Sequence, residues 1–368
     1  MHSVINNNNN NTNTTANNNP TVTTTKKVRF ETDTDALTTL LTTTSATTTT
    51  TTTISTTTTL FEFNRLPAVA RRRILMLLKH NAPQAPCVCW LWSQLLNDDA
   101  IEMCEYLVSR ERRLQATYVR AVRQSELKRE MLPMLIDWLV DVGEEFELRP
   151  VTLHTAVAYL RWHLALHQVR KSELQLLGAT CLLLAAKFHE KDDCVPSVLD
   201  FVYMGDSAFT QQAVVNAEIK LVHSLDFELQ PTTSLSFLHL YCDTLQVRPH
   251  SDAQVFWMSM HLLELAMLRT STQRLRPSVA AAAALHIAIA TRIGAALAID
   301  VWDGSLYMLT GLTPSRAPMS NAIVSFWQLR QNPPSVPNHP LSAITAKFQR
   351  PQYARVASVP LPTQPPVP

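Results

Sequence analysis

The sequence predicts an all-α protein, and three observations support this fold class. Glycine accounts for only 6 of the 368 residues, whereas the tight turns of small sheets depend on it. Apolar residues recur at helical spacing from about residue 99 to residue 330. Residues 176–188 and 278–290 echo one another as stretches rich in small side chains. Because small side chains let helices approach closely, we expect each stretch to be the central helix of its own bundle.

The apolar periodicity predicts a series of helices between the two polar ends of the chain. Their expected ranges are 99–119, 125–145, 150–167, 172–189, 195–203, 211–226, 232–246, 251–270, 278–296, 302–310 and 317–330. Pro231 cannot continue a helix, so it marks the expected boundary between the two bundles.

Composition divides the chain into successive parts. Residues 1–59 are nearly all Asn and Thr, and we expect this tail to be disordered because it has too little apolar surface to offset the entropy of ordering. A helical segment at 60–98 precedes the first bundle, which with its leading helix spans 99–228. The second bundle spans 229–357, and the proline-rich tail at 358–368 is expected not to pack.

Charge and cysteine usage exclude several functional classes. Lysine plus arginine number 32 against 30 aspartate plus glutamate, so no strong field attracts nucleic acid or a membrane surface. The 6 cysteines have no CxxC spacing, which favours reduced thiols in an intracellular protein. Because the N-terminus is polar, we expect no signal peptide. The most apolar run, 278–298, is interrupted by His286 and Arg292, so we expect a buried helix rather than a membrane span. Without a phosphate loop, metal-ligand spacing or activated nucleophile, we expect a non-catalytic chain with no cofactor and no metal.

Several blocks, in conserved order, carry a resemblance to a known family. Residues 131–146 read "MLPMLIDWLVDVGEEF", similar to a family pattern of Met-Arg-Ala-Ile-Leu followed by Val-Asp-Trp-Leu-Val-Glu-Val-Gly-Glu-Glu. The later blocks are "LQLLGATCLLLAAKFHE", "PTTSLSFLHLYC", "LRPSVAAAAALHIAIA" and "AITAKFQRPQYARVAS". From about residue 100 to 357 the chain therefore resembles the cyclin family, of the mitotic A/B type and most closely the A-type cyclins. The resemblance implies tandem five-helix cyclin boxes.

The resemblance also implies a function. Cyclins bind and activate a cyclin-dependent serine/threonine kinase, here in S phase or at G2/M, in the nucleus and cytoplasm. Such a kinase is inactive until its αC helix swings in and the helix glutamate pairs with the lysine that holds the ATP phosphates. A partner that binds only the swung-in state shifts the kinase population toward activity.

Four residues match the family's kinase contacts: Lys187, Phe188, Glu190 and Glu218. The resemblance implies that Lys187 and Glu218 hydrogen-bond around the kinase αC helix and that Phe188 anchors the same interface. The alternatives are ordinary ones, since Lys187 could cap a helix C-terminus and Glu218 could lie on a solvated face. Phe188 could equally be a core residue.

A second family site takes up Arg-x-Leu peptides of substrates or inhibitors. The matching residues are Met131, Met134, Leu135, Trp138, Asp141 and Gln175. In the family the apolar members form a slot for the leucine and an acid meets the arginine. Asp141 replaces the usual glutamate and reaches one carbon less far. The alternative is an amphipathic helix that packs these side chains in its core.

The sequence departs from the family pattern in three places. The usual buried arginine–aspartate pair is replaced by Leu132 and Arg161, and we expect Arg161 to point outward, because a lone buried charge is costly. Pro133 should start the helix afresh or kink it near Arg129, whose carbonyl loses its bond from residue 133. The usual Phe-Glu-Glu after Lys187 has His189 in its middle position.

Weaker matches lie upstream. Residues 64–98 resemble an F-box, which binds a ubiquitin-ligase adaptor, and the alternative function is therefore an F-box substrate receptor whose cyclin boxes hold substrates. A pair of helices packed on the cyclin box is the simpler interpretation. Lys27, Val28 and Phe30 lie in "KKVRF" and resemble a docking segment for protein phosphatase one, with a basic targeting patch as the alternative. A cyclin-fold DNA-binding factor is disfavoured by the near-neutral charge.

Overall fold

A computed structural model of the protein describes residues 86–367 except 120 and 270–271. Within these residues no β-strand forms, which confirms the all-α prediction. The helices are α1 (Pro86–Val119), α2 (Met131–Glu145), α3 (Pro150–Leu166), α4 (Leu174–His189), α5 (Val198–Met204), α6 (Gln211–Ser224), α7 (Ser234–Thr244), α8 (Ala253–Met267), α9 (Pro277–Ile293), α10 (Ala295–Ser305), α11 (Tyr307–Thr310), α12 (Met319–Gln331) and α13 (Ala343–Gln349). The predicted disordered tail, 1–59, lies outside the described residues.

The described helices form two bundles with a central helix each. Helix α4 packs against α2, α3 and α6, whereas α9 packs against α7, α8, α10 and α12. Every residue of α4 from Leu177 to Ala186 is buried, as is every residue of α9 from Ser278 to Ala290. The predicted pair of central helices rich in small residues is therefore confirmed. We call α2–α6 the first box and α7–α12 the second box.

Most predicted helix bounds differ from the structure by a few residues, with larger differences at both ends. Helix α1 extends back to Pro86, so residues 86–98 of the predicted separate segment are its first turns. The predicted helix 302–310 is too short, because the helical region begins at Ala295 and consists of two helices, α10 and α11. Helix α13 was not predicted, because 7 residues give too short a periodic pattern.

Helix α1 joins the two boxes. It packs against α3 of the first box and against α7, α9 and α11 of the second. Glu111, only 1% exposed, accepts a 2.6 Å hydrogen bond from the backbone N–H of Ser278 and a 3.0 Å bond from its hydroxyl. Helix α9 starts at Pro277, so this carboxylate caps its N-terminus, where unpaired N–H groups favour an anion.

Helix α13 makes the reverse connection. It follows the second box but packs against α2 as well as α8. The ammonium of Lys347 is buried between two glutamates, 2.8 Å from Glu264 of α8 and 3.3 Å from Glu144 of α2. The N–H of Ala343 donates to the carboxylate of Asp137 on α2 at 3.2 Å. Helix α1, which precedes the first box, thus packs on the second box, and α13, which follows the second box, packs on the first.

The expectation that residues 358–368 do not pack is wrong. The indole N–H of Trp327 donates to the carbonyl of Pro362 at 2.9 Å, and a ring nitrogen of His286 lies 2.9 Å from the carbonyl of Pro366. Pro366 is buried. The segment lacks apolar periodicity because it packs as extended chain, with its carbonyls bonded to side chains of the second box.

The expectation that Arg161 points outward is also wrong. Its guanidinium is buried where α3 meets the end of α8 and donates to the carbonyl of Met267 at 3.1 Å. That residue is the last of α8, and carbonyls at a helix end have no partner within the helix. Burial lowers the pKa of Arg161 to about 10. The arginine therefore links the two boxes instead of pairing within the first.

We predict that Glu111→Ala lowers the free energy of unfolding by about 2 to 3 kcal/mol, because it leaves the buried N–H of Ser278 without its acceptor. Urea unfolding followed by circular dichroism measures this loss. Glu102→Ala, at an exposed position on the same helix, is the matched control and should change stability by less than about 0.5 kcal/mol. Equal losses in the two variants would show that Glu111 does not cap α9.

Candidate functional site

A charged pair lies at the exposed edge between α4 and α6. The ammonium of Lys187, in the last turn of α4, lies 2.6 Å and 2.8 Å from the two carboxylate oxygens of Glu218 on α6. The Lys187 side chain is 43% exposed and that of Glu218 17%. Both groups keep hydrogen-bonding capacity toward solvent, because the lysine has three donors and the carboxylate about four lone-pair sites.

Apolar side chains form a groove beside Glu218. A groove of about 310 Å³ is lined by Glu218, Ile219, Val222, His223 and Phe227. Phe227 is 65% exposed and Ile219 is 55% exposed. Phe227 also has a φ of 59°, a left-handed conformation that is unfavourable for a bulky residue. Strain of this kind concentrates at functional positions, so the turn after α6 is a candidate contact element.

At the end of α4, the predicted contact residues point in different directions. Phe188, next to Lys187, is 45% exposed and meets His189 edge-on at 4.9 Å between ring centroids. Glu190 is turned inward: its carboxylate accepts from the Arg149 N–H at 2.9 Å and from the Thr152 hydroxyl. The structure therefore brings Lys187, Phe188 and Glu218 together, whereas the carboxylate of Glu190 holds the start of α3.

The second predicted site lies along α2. Met131, Met134 and Trp138 are half-buried and repeat at three- to four-residue spacing, so they share one helix face. Leu135 is buried, and an added Cβ at Gly178 of α4 would come within 2.7 Å of its side chain. Gln175, also half-buried, is on the same neighbouring helix. The helix thus offers a partly exposed apolar stripe above a tightly packed base.

Pro133 occupies the first turn of this helix. Helix α2 begins at Met131, and its first regular bond runs from the Met134 N–H to the Glu130 carbonyl at 3.2 Å. N–H groups in the first turn have no partner within the helix, so a proline there removes no helical bond. The helix starts just beyond Arg129, which confirms the prediction that it starts afresh and corrects the expected start at 125.

The acidic end of the stripe has a neighbour that sequence reasoning missed. Asp141 is exposed, yet partial burial raises the pKa of its carboxyl, while the guanidinium of Arg350 opposes that rise. The same guanidinium donates to Glu144 at 2.9 Å. An arginine that approached Asp141 would therefore meet a positive charge already present. No local sequence pattern predicts the influence of Arg350 on Asp141, because the two residues are far apart in sequence.

The apolar groove was also missed, although α6 carried a signal. Val214, Leu221 and Leu225 are buried and define the inner face of the helix. Ile219 and Val222 fall outside that stripe, and apolar residues on an outer face indicate a contact surface when they cluster. Several predicted features remain untested, because Lys27, Val28 and Phe30 and the F-box-like residues before Pro86 lie outside the described residues.

Two further features are absent from the described residues. No group of three histidine, cysteine, aspartate or glutamate side chains among them could hold a metal ion. None of their helices combines the length and apolar character needed to cross a membrane.

Comparison with known families decides the classification. Residues 102–230 match the family model described as "Cyclin, N-terminal domain", and residues 232–362 match "Cyclin, C-terminal domain". The chain belongs to the cyclin family. The two matches meet at Pro231, and the first and second boxes of this cyclin correspond to them.

Individual relatives agree with this assignment. The cyclin is 30% identical to Cyclin-A3-1 of Oryza sativa subsp. japonica over 271 residues, 72% of this chain and 70% of the relative. It is 31% identical to Cyclin-A3-2 of the same plant, covering 71% of this chain and 66% of the relative. It is 33% identical to Cyclin-A2 of Homo sapiens, covering 64% of this chain and 51% of the relative. The chain thus spans less than two-thirds of the length of several A-type relatives.

A solved structure shares the fold of this cyclin. A viral cyclin from herpesvirus saimiri superposes with a TM-score of 0.51 at 20% identity, covering 61% of this chain and 94% of the viral protein. The tandem boxes predicted from the sequence are thus confirmed as a cyclin fold.

We predict a specific pH dependence from Asp137, whose carboxyl has a pKa raised from 3.8 to about 6 by burial and by the neighbouring Asp141. The folded chain holds this proton at higher pH than the unfolded chain. The stability contributed by the group is therefore present below about pH 4 and is lost as the pH rises through about 6. The free energy of unfolding of Asp137→Asn, measured relative to that of the parent, should therefore rise by about 2 to 3 kcal/mol between pH 4 and pH 7. Urea unfolding at each pH measures this, and a constant difference would contradict it.

Proposed function

We propose that this cyclin is a regulatory subunit that binds and activates a cyclin-dependent serine/threonine kinase in the cell cycle, and that it acts by binding rather than by catalysis. The observation that carries the proposal is the Lys187–Glu218 pair, set in exposed apolar surface at the edge of α4 and α6. The likeness to A-type cyclins supports the same role.

The chemistry of this face suits an amphipathic helix of the kinase. Phe188, Ile219 and Phe227 offer exposed apolar area, and such clusters on a soluble protein mark contact surfaces. Lys187 and Glu218 offer a donor and an acceptor within 3 Å of each other, so they can bond to the polar edge of a helix whose apolar face fills the groove.

The rigidity of the Lys187–Glu218 face explains how its binding would activate the kinase. Helix α4 is the buried centre of the first box, and the Glu218 helix packs directly on it. A preorganised surface binds one kinase conformation better than another, and its differential affinity sets the population shift. Activation then needs no movement within the cyclin.

We predict that Lys187→Ala and Glu218→Ala each weaken binding to a responsive cyclin-dependent kinase by about 10- to 100-fold, since each removes charge-assisted hydrogen bonds at a partly buried interface. Biolayer interferometry against a panel of cell-cycle cyclin-dependent kinases, with a parallel kinase assay, measures the effect. Lys191→Ala and Glu102→Ala, both at exposed positions, are the matched controls and should bind like the parent.

Thermal unfolding of the same variants separates binding from folding. The Lys187–Glu218 pair lies at the protein surface, with side chains 43% and 17% exposed, so its loss should change stability by less than about 1 kcal/mol. A folded parent chain that activates no kinase of the panel, or variants that bind as well as their controls, would rule out this role.

We further propose that the stripe on α2 recruits Arg-x-Leu segments of substrates or inhibitors. Met131, Met134 and Trp138 are half-buried and leave apolar surface for a leucine, while Asp141 stands one turn beyond Trp138. Arg350 competes with the arginine of the peptide for the acidic end, since its charge already acts on Asp141. We therefore expect moderate affinity that depends on this competition.

Opposite effects of two variants test this docking. Asp141→Asn should weaken binding of a labelled Arg-x-Leu peptide by about 5-fold, whereas Arg350→Ala should strengthen it by about 2- to 5-fold, because each changes one unit of charge near the peptide arginine. Met134→Ala should weaken binding, with Met103→Ala, an exposed methionine on α1, as its control. Fluorescence anisotropy measures all four. The same direction of change for Asp141→Asn and Arg350→Ala would contradict the proposed charge contact.

A further inference from the structure

The last described stretch of the chain lies on the second box without secondary structure of its own. We call residues 359–367 the proline segment. Four of its members are prolines, namely Pro360, Pro362, Pro365 and Pro366. Val359, Leu361 and Val367 pack against the core and are partly buried, and Pro366 is fully buried. The segment is therefore seated on a surface rather than extended into solvent.

Two helices of the second box supply polar contacts to this segment. Trp327 of α12 donates its indole N–H to the Pro362 carbonyl at 2.9 Å. His286 of α9, which is 0% exposed, places a ring nitrogen 2.9 Å from the Pro366 carbonyl. The indole N–H can only donate, and the two accepting carbonyls are four residues apart. Trp327 and His286 thus bind two carbonyls at a fixed spacing along an extended chain.

This arrangement has the elements of proline-peptide recognition. Proline-rich segments are already extended before they bind, so they lose little conformational entropy on docking. Binding sites for them combine aromatic side chains, which give apolar area, with donors to the carbonyls of the segment. The chain places an indole, a buried imidazole and the apolar core beneath such a segment.

We infer that the surface where α9 and α12 meet is a binding site for a proline-rich peptide, and that the chain's own proline segment fills it as an intramolecular ligand. A covalent tether of this length gives the segment an effective concentration in the millimolar range. A partner's proline-rich stretch with two carbonyls at the same spacing binds the site in place of the segment. The site is independent of Lys187 and Glu218, which lie on the first box.

The experiment uses a labelled peptide with the sequence of residues 359–368 and a chain that ends at Ser358. Fluorescence anisotropy should show saturable binding to the shortened chain, and at least 10-fold weaker binding to the full chain, whose own segment competes. Trp327→Phe in the shortened chain should weaken binding by about 2- to 12-fold, the range for one neutral hydrogen bond. Trp162→Phe, a half-buried tryptophan of the first box, is the matched control and should bind like the parent.

A second peptide tests the role of the prolines. Replacement of its four internal prolines by alanine should weaken binding at least 10-fold, because the alanine peptide must be ordered on binding. A folded shortened chain that does not bind the first peptide, or that binds both peptides equally, would overturn the inference.

A cleavable chain covers the case in which the shortened chain does not fold. A protease site inserted after Ser358 allows the full chain to fold first and to be cut afterwards. Retention of the cut segment, with release by an excess of unlabelled peptide, supports a peptide site. Immediate loss of the segment without rebinding would show that only the covalent tether holds it in place.

Discussion

The buried contact of Lys347 with two glutamates is the interaction on which the arrangement of the molecule depends. Glu144 comes from the first box, Glu264 from the second, and the lysine from α13, beyond both. Burial alone would lower the pKa of Lys347, but the two carboxylates outweigh it and raise the pKa. Removal of either glutamate would leave charge in an apolar interior at a cost of several kcal/mol. The network therefore fixes where the second box lies relative to α2.

Because of this network, the Lys187–Glu218 face and the stripe on α2 are stabilised by different parts of the chain. The Lys187–Glu218 face rests on α4, whose own box buries it almost completely. The stripe on α2 rests partly on α13, through Asp137, Glu144 and Arg350. Helix α1 adds the reverse connection through Glu111. The Lys187–Glu218 face thus depends on the first box alone, whereas the stripe on α2 is coupled to the integrity of the whole chain.

The sequence predicted those features that depend on local pattern. Central helices rich in small residues and the restart of α2 at Pro133 follow from spacing or from backbone chemistry, whereas the tandem cyclin boxes followed from the resemblance to the family. The inward turn of Glu190, the burial of Arg161 and the influence of Arg350 on Asp141 did not follow, because each depends on a partner distant in sequence. The seating of residues 359–367 was missed for the same reason: its donors, His286 and Trp327, belong to helices whose patterns show only a core.

Gly178 has a consequence for how recognition on α2 can change over evolution. This glycine touches the base of the stripe, since an added methyl group would meet Leu135 at 2.7 Å. Any side chain there would push the leucine, and with it the floor beneath Met131 and Trp138, toward solvent. A single substitution on the neighbouring helix α4 would therefore reshape the stripe on α2 without changing any side chain of α2 itself. The shape of this surface thus depends on a buried residue that has no side chain.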